Sequence, residues 1–94
     1  MAMTQAGAEH LAVQVLGWLA QDHARIAAFL AASGTAPGSL RERANEPDFL
    51  LAVIEFLMAD EALLLDCCAA LDLSPQTPAD ARAALPGGVP VHWT

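Results

Sequence analysis

Two adjacent cysteines, Cys67 and Cys68, are the residues of this sequence with the greatest potential for covalent chemistry. A cysteine thiolate can act as a nucleophile, a redox centre or a metal ligand. On a helix, however, both thiols would lie on one apolar stripe with Leu64 and Leu71, because the four residues are spaced i, i+3, i+4 and i+7. Burial raises a thiol pKa, and no basic residue is near in sequence to lower it. We therefore expect both cysteines to pack in the core, with Asp66 on the opposite side of that helix.

The histidines and cysteines lack the spacing of a metal site. Zinc fingers use Cys or His pairs two to four residues apart, and di-iron bundles use Glu-x-x-His; neither pattern occurs. His10 and His23 fall on different predicted helices, and His92 lies in the C-terminal tail. The sequence therefore predicts no metal and no other cofactor.

General acid–base catalysis by carboxylates would need a cleft that perturbs their pKa values. Four candidates are predicted at helix caps or on outward helix faces: Glu55, Asp60, Glu61 and Asp66. The sequence also contains no Ser/His/Asp set, phosphate-binding glycine loop or nucleophile elbow. We predict that the protein is not an enzyme and has no catalytic residue.

The negative charge is concentrated in the middle of the chain. Seven of the 11 acids lie in residues 46–72 without any Arg or Lys among them, and the other four balance the four arginines, which leaves the net charge of −7. Nucleic-acid binding and adhesion to anionic membranes both need clustered basic residues. A helix-turn-helix over residues 66–85 would offer DNA only Arg82. We therefore exclude nucleic acid and membrane surfaces as partners.

Composition and periodicity predict an all-α fold, a compact single-domain bundle of five to six short helices. Alanine and leucine dominate a chain that is 55% hydrophobic, and both are good helix formers. The predicted domain spans residues 6–88, between a flexible N-terminus (1–5) and an extended tail (89–94). Within it we expect helices over 6–20, 22–32, 40–45, 47–59, 60–71 and 77–85.

Capping residues mark several of these boundaries. Asp22 and Asp60 are predicted N-caps, and Gly34 suits a left-handed C-terminal position. Ser39 and Glu42 have the spacing of a capping box.

The helix that begins at Pro47 has an unusually narrow polar side, so we expect it at the centre of the bundle. Its apolar positions are Leu50, Val53, Ile54 and Leu57, with Phe49 and Phe56 beside them; its polar or neutral positions are Asp48, Ala52, Glu55 and Ala59. The apolar run 49–59 is too short to span a membrane, which needs about 20 residues. Because no signal peptide is visible, we predict a cytoplasmic protein.

The order of these signals resembles a small bacterial family, domain-of-unknown-function family 3572. The similarity covers nearly the whole chain and rests on AVQVLGWLAQD (12–22), FLAASG (29–34), LRERANEPDFLLAVIEFLMADE (40–61), LDLSP (71–75), ARAALPGG (81–88) and HWT (92–94). Cys67 departs from the family, which is expected to have a larger apolar residue there. The resemblance implies a compact helical, cytoplasmic, single-domain protein. Because the family has no established activity, ligand or catalytic residue, the resemblance transfers none to this chain.

Two functions remain as hypotheses. The first is a non-enzymatic interaction or regulatory module, whose acidic outer face would bind an unknown protein partner or a second copy of the chain. Its candidate residues are Asp48, Glu55, Glu61, Asp66 and Trp93. The alternative is a small-molecule or lipid carrier with an apolar slot between helices, lined by Phe49, Phe56 and Trp18. Trp93 is either a partner anchor or, as we favour, packed over the bundle near Trp18.

Overall fold

A computed structural model describes residues 3–88, which contain helices and no strand. The expected all-α bundle is confirmed. Its helices are α1 (Gln5–Ala20), α2 (His23–Ser33), α3 (Leu40–Arg43), α4 (Pro47–Met58), α5 (Glu61–Leu71) and α6 (Thr77–Ala84), with a 3-10 turn at Pro37–Ser39 before α3. The predicted tail, with His92 and Trp93, lies outside the described residues.

Helix α4 is central, as its narrow polar side predicted. It packs against α1, α2, α5 and α6, and α1 and α6 also pack against each other. Half of the α4 residues are buried: Phe49, Leu50, Leu51, Val53, Ile54 and Leu57. Because these side chains point toward several neighbouring helices, α4 joins the helices of the bundle into one core.

Helix α1 buries the stripe that its periodicity predicted, while His10, Gln14 and Gly17 are exposed. The buried positions are Ala8, Leu11, Ala12, Val15, Leu16, Trp18 and Leu19. The helix begins one residue earlier than predicted because Thr4 is its N-cap, with Oγ1 accepting a hydrogen bond from the Gly7 amide at 3.0 Å.

An aromatic cluster fixes α2 to α4. The Phe29 ring, which is 1% exposed, makes edge-on contacts with Phe49 and Phe56, at centroid distances of 5.5 Å and 5.3 Å. Ile26 and Leu30 were also predicted to face inward, but both are only half-buried. Phe29 is therefore the main apolar anchor of α2.

The predicted aspartate caps are confirmed. Asp22 accepts hydrogen bonds from the amides of Ala24 and Arg25, at 2.8 Å and 3.3 Å, and these bonds lower the pKa of its carboxyl group. Asp60 accepts from the Leu63 amide at 3.1 Å. Gly34 ends α2 with the predicted left-handed backbone, at a φ of 70°.

The predicted capping box at Ser39 and Glu42 does not form. Ser39 ends the 3-10 turn and continues directly into α3 with a helical φ/ψ of −96°/−5°, and its side chain makes no capping hydrogen bond. An N-cap needs an extended backbone, but the preceding 3-10 turn holds Ser39 in a helical conformation. The spacing was right for a capping box, but the residues before it set a different local conformation.

We expect Phe29→Ala to destabilise the protein by about 3–5 kcal/mol, because truncating a buried phenylalanine leaves a cavity between α2 and α4. Urea unfolding followed by circular dichroism would measure the loss. As a control, Leu65→Ala truncates a side chain that is 47% exposed, so it should cost no more than about 0.5 kcal/mol. Equal midpoints for the two variants would contradict the anchoring role of Phe29.

Candidate functional site

The cysteines lie in the core, as predicted. Cys67 is 0% and Cys68 3% exposed. Burial, with a smaller contribution from the neighbouring thiol, raises the pKa of Cys67 to about 11, although the nearby Arg25 charge partly opposes it. Burial also raises the pKa of Cys68, whose Sγ lies 3.7 Å from the carbonyl oxygen of Ser74. Neither thiol is accessible for attack on a substrate.

The carboxylates with catalytic potential are dispersed over the surface. Asp60 caps α5, Glu61 is the first residue of that helix, and Glu55 and Asp66 are exposed on α4 and α5. Within residues 3–88, no three His, Cys, Asp or Glu side chains are placed to share a metal ion.

Helix α4 brings two of the predicted interaction residues together. Asp48 and Glu55 are seven residues apart, so they lie on the same side of the helix, about 10.5 Å from each other along its axis. Ala52 and Ala59 lie on that side too; Asp48, Glu55 and Ala59 are exposed and Ala52 is half-buried. We call these four residues the α4 strip.

Helix α5 separates the other two predicted acids. Glu61 and Asp66 are both exposed, but the five-residue spacing turns their side chains about 140° apart around the helix. They therefore do not share one side of α5. Trp93, the fifth predicted residue, lies outside the described residues.

A shallow apolar groove lies between α2 and α4. It has a volume of about 270 Å³, is open to solvent, and is lined by Phe29, Ala32, Ser33, Ala52, Glu55 and Phe56. We call it the α2–α4 groove. Its small residues leave space between the helices, its two phenylalanines supply an apolar lining, and Glu55 is its charged residue.

On its other side, Glu55 borders a second cleft of about 250 Å³, which also includes Met58, Ala59 and Arg82. The Arg82 Nε atom is 3.6 Å from Glu55 Oε2, and both side chains are nearly half exposed. Arg82 Nε itself is buried and makes no hydrogen bond. Ion pairs this exposed contribute between about 0 and 1 kcal/mol to folding stability, so the attraction between Glu55 and Arg82 is weak.

The end of α2 adds negative potential to the groove. Ala32 and Ser33, which line it, are the last two residues of the helix, and the last turn carries no basic residue. The helix dipole places partial negative charge at a C-terminus. Glu55 and the end of α2 therefore favour a cation in the same groove.

Sequence reasoning found part of this site. Glu55 was predicted for the acidic face and Phe56 for the apolar slot, and both line the groove. Of the other predicted slot residues, Phe49 is buried against Phe29, and Trp18 lies beneath the Arg25 guanidinium, 3.8 Å from its ring centroid. Ala32 and Ser33 were missed, because no sequence signal indicated which helix lies beside α4.

Comparison with known proteins gives one decisive match. The family described as "Protein of unknown function (DUF3572)" matches residues 5–88, which is nearly the whole chain. The chain belongs to this family. No curated protein and no solved structure matches it. The predicted resemblance to DUF3572 is confirmed, and the family description assigns no reaction or ligand. In the described part of this DUF3572 chain, no helix is both long and apolar enough to cross a membrane.

We expect neither cysteine to react with dithionitrobenzoate within minutes at neutral pH in the folded protein, because both thiols are buried with raised pKa values. Both should react when urea unfolds the chain. A Val13→Cys variant places a thiol at a position that is 45% exposed, so it should react at once and shows that the reagent is active. Rapid release of two equivalents of chromophore from the native wild type would contradict the buried placement.

Proposed function

We propose that the chain is a non-enzymatic protein–protein interaction module that docks a partner on the α4 strip and the adjoining α2–α4 groove. The observation that carries the proposal is the surface of α4, a helix whose other sides are buried by four neighbours. Its one open side combines two carboxylates with the small residues Ala52 and Ala59. Small residues allow close approach of another element, and the carboxylates add charge specificity.

The size of the groove supports a side chain of a protein as its occupant. Pockets for drug-sized ligands measure about 300–1,000 Å³ and enclose most of the ligand. The α2–α4 groove, at about 270 Å³, is smaller and open to solvent. The carrier alternative would need an enclosed apolar cavity, so the groove favours docking over transport.

The chemistry of the reactive groups is also in keeping with an interaction role. Cys67 and Cys68 are buried with raised pKa values, and the carboxylates of the α4 strip are solvent-exposed. General acids and nucleophiles normally need a cleft and a tuned pKa. The net charge of −7 would speed encounter with a basic partner and make that encounter sensitive to salt.

We expect Ala52→Gln to reduce capture of the cellular partner at least about tenfold, because the longer side chain would fill the groove; a tenfold loss corresponds to about 1.4 kcal/mol. Affinity purification from cells that naturally contain the protein, followed by quantitative mass spectrometry, would measure the change. Binding of the recovered partner would then be measured with purified components.

The matched control is Ala70→Gln, which makes the same change at an exposed position of α5. Circular dichroism should show that both variants keep the wild-type fold. If Ala52→Gln and Ala70→Gln retained the same partners in the same amounts as the wild type, docking at the α4 strip would be ruled out.

A further inference from the structure

We infer that the partner inserts an arginine or lysine, next to an apolar residue, into the α2–α4 groove, where its cation replaces Arg82 as the partner of Glu55. The inference rests on the proposed function and specifies the chemistry of the partner. The occupant of the α2–α4 groove is a basic segment of another protein.

The electrostatics of the groove select a cation. Glu55 provides a full negative charge, and the C-terminal end of α2, at Ala32 and Ser33, provides a partial one without a basic residue to neutralise it. A cation between these groups would gain charge-assisted hydrogen bonds from the carboxylate and from helix-end carbonyl groups. The stem of an arginine or lysine side chain is apolar and suits the alanine and phenylalanine lining.

The aromatic lining favours arginine in particular. Guanidinium groups stack on aromatic rings, an attraction that acts within about 6 Å of the ring centroid. Residues 3–88 contain this contact twice, with Arg25 at 3.8 Å from the Trp18 ring centroid and Arg43 at 4.9 Å from that of Phe49. Phe56 is half-buried and lines the groove, so its ring offers an incoming guanidinium the same kind of contact.

A second copy of the chain is a poor source for this cation. Arg25 donates to the Trp18 carbonyl at 3.0 Å, Arg43 pairs with Glu46 at 3.3 Å, and Arg82 pairs with Glu55. Arg41 is exposed and makes no such contact with the residues that the structure describes, so it is the arginine that could reach a neighbour. Two copies that each carry a net charge of −7 would also repel each other.

Arg82 acts as an internal competitor in this arrangement. It holds Glu55 at 3.6 Å from the α6 side, outside the 2.7–2.9 Å typical of charge-assisted hydrogen bonds. A partner cation on the α2 side can therefore compete with Arg82 for the carboxylate, although the buried Arg82 Nε then loses its ion-pair partner. Removing the charge of Arg82 should strengthen binding, an outcome that a purely structural ion pair would not give.

The test uses the full chain, labelled with ¹⁵N, and a synthetic amphipathic peptide of leucine, alanine and arginine. The control peptide replaces every arginine with citrulline, which has a similar shape but no charge. We expect the arginine peptide to shift the amide signals of Ala32, Ser33, Ala52 and Phe56, and to bind at least about tenfold more tightly than its citrulline counterpart.

Three variants of the protein separate the roles of the charges. Glu55→Gln should weaken binding of the arginine peptide by about tenfold, and Arg82→Gln should strengthen it by about threefold, since charge-assisted contacts are the stronger ones. Glu46→Gln removes the carboxylate of a different surface ion pair, the one with Arg43, and should leave binding unchanged. Equal binding of the two peptides, signal shifts confined to α5, or a Glu55→Gln variant that binds like the wild type would overturn the inference.

The outcomes also separate this inference from the proposed function. If Ala52→Gln abolished partner capture while arginine and citrulline peptides bound alike, docking at the α4 strip would be supported and insertion of a partner cation would be rejected. If the peptides behaved as expected but Ala52→Gln kept its cellular partner, the proposed function would fall instead. A dimer in sedimentation experiments that Ala52→Gln dissociates would replace the basic partner with a second copy of the chain.

Discussion

The packing of Phe29 between Phe49 and Phe56 is the contact on which the surface of this protein depends. It combines burial of a large apolar side chain with two edge-on ring contacts, an arrangement that adds stability beyond the buried area. Because Ile26 and Leu30 are only half-buried, the Phe29 ring is the main contact that positions α2 relative to α4. The width of the α2–α4 groove follows from that position.

The same packing explains why α4 has an open side. Helices α1, α2, α5 and α6 cover its apolar positions, so the side that faces solvent is the one whose residues are small or charged. Ala52 leaves room between α2 and α4, and Glu55 lies between the two clefts. A helix whose other sides are buried thus holds the α4 strip at the surface, and the packing of the core sets the position of these residues.

Local features of the fold could be read from the sequence. The buried stripe of α1, the caps at Asp22 and Asp60, and the burial of Cys67 depend on spacing within one helix, and periodicity reports that directly. The prediction of a capping box at Ser39 was wrong because the 3-10 turn before it gives Ser39 a helical backbone conformation. The all-α class followed from the same local signals.

The groove could not be read in this way, because it depends on which helices are neighbours. Ala32 and Ser33 have no periodic or charge signal of their own, and only the fold places them beside Glu55. Glu55 and Arg82 are likewise far apart in sequence and meet through the packing of α4 on α6. Single residues of the site were predictable, whereas their assembly needed the tertiary structure.

Photo-crosslinking in cells that naturally contain the protein would test docking at the α4 strip most directly. A small photoreactive amino acid at position 52, on the α4 strip, would be compared with the same amino acid at position 70, on the exposed side of α5. If a partner docks on the α4 strip, position 52 should give a discrete covalent adduct with a second protein and position 70 should give none. Adducts of equal yield from both positions, or from position 70 alone, would contradict it.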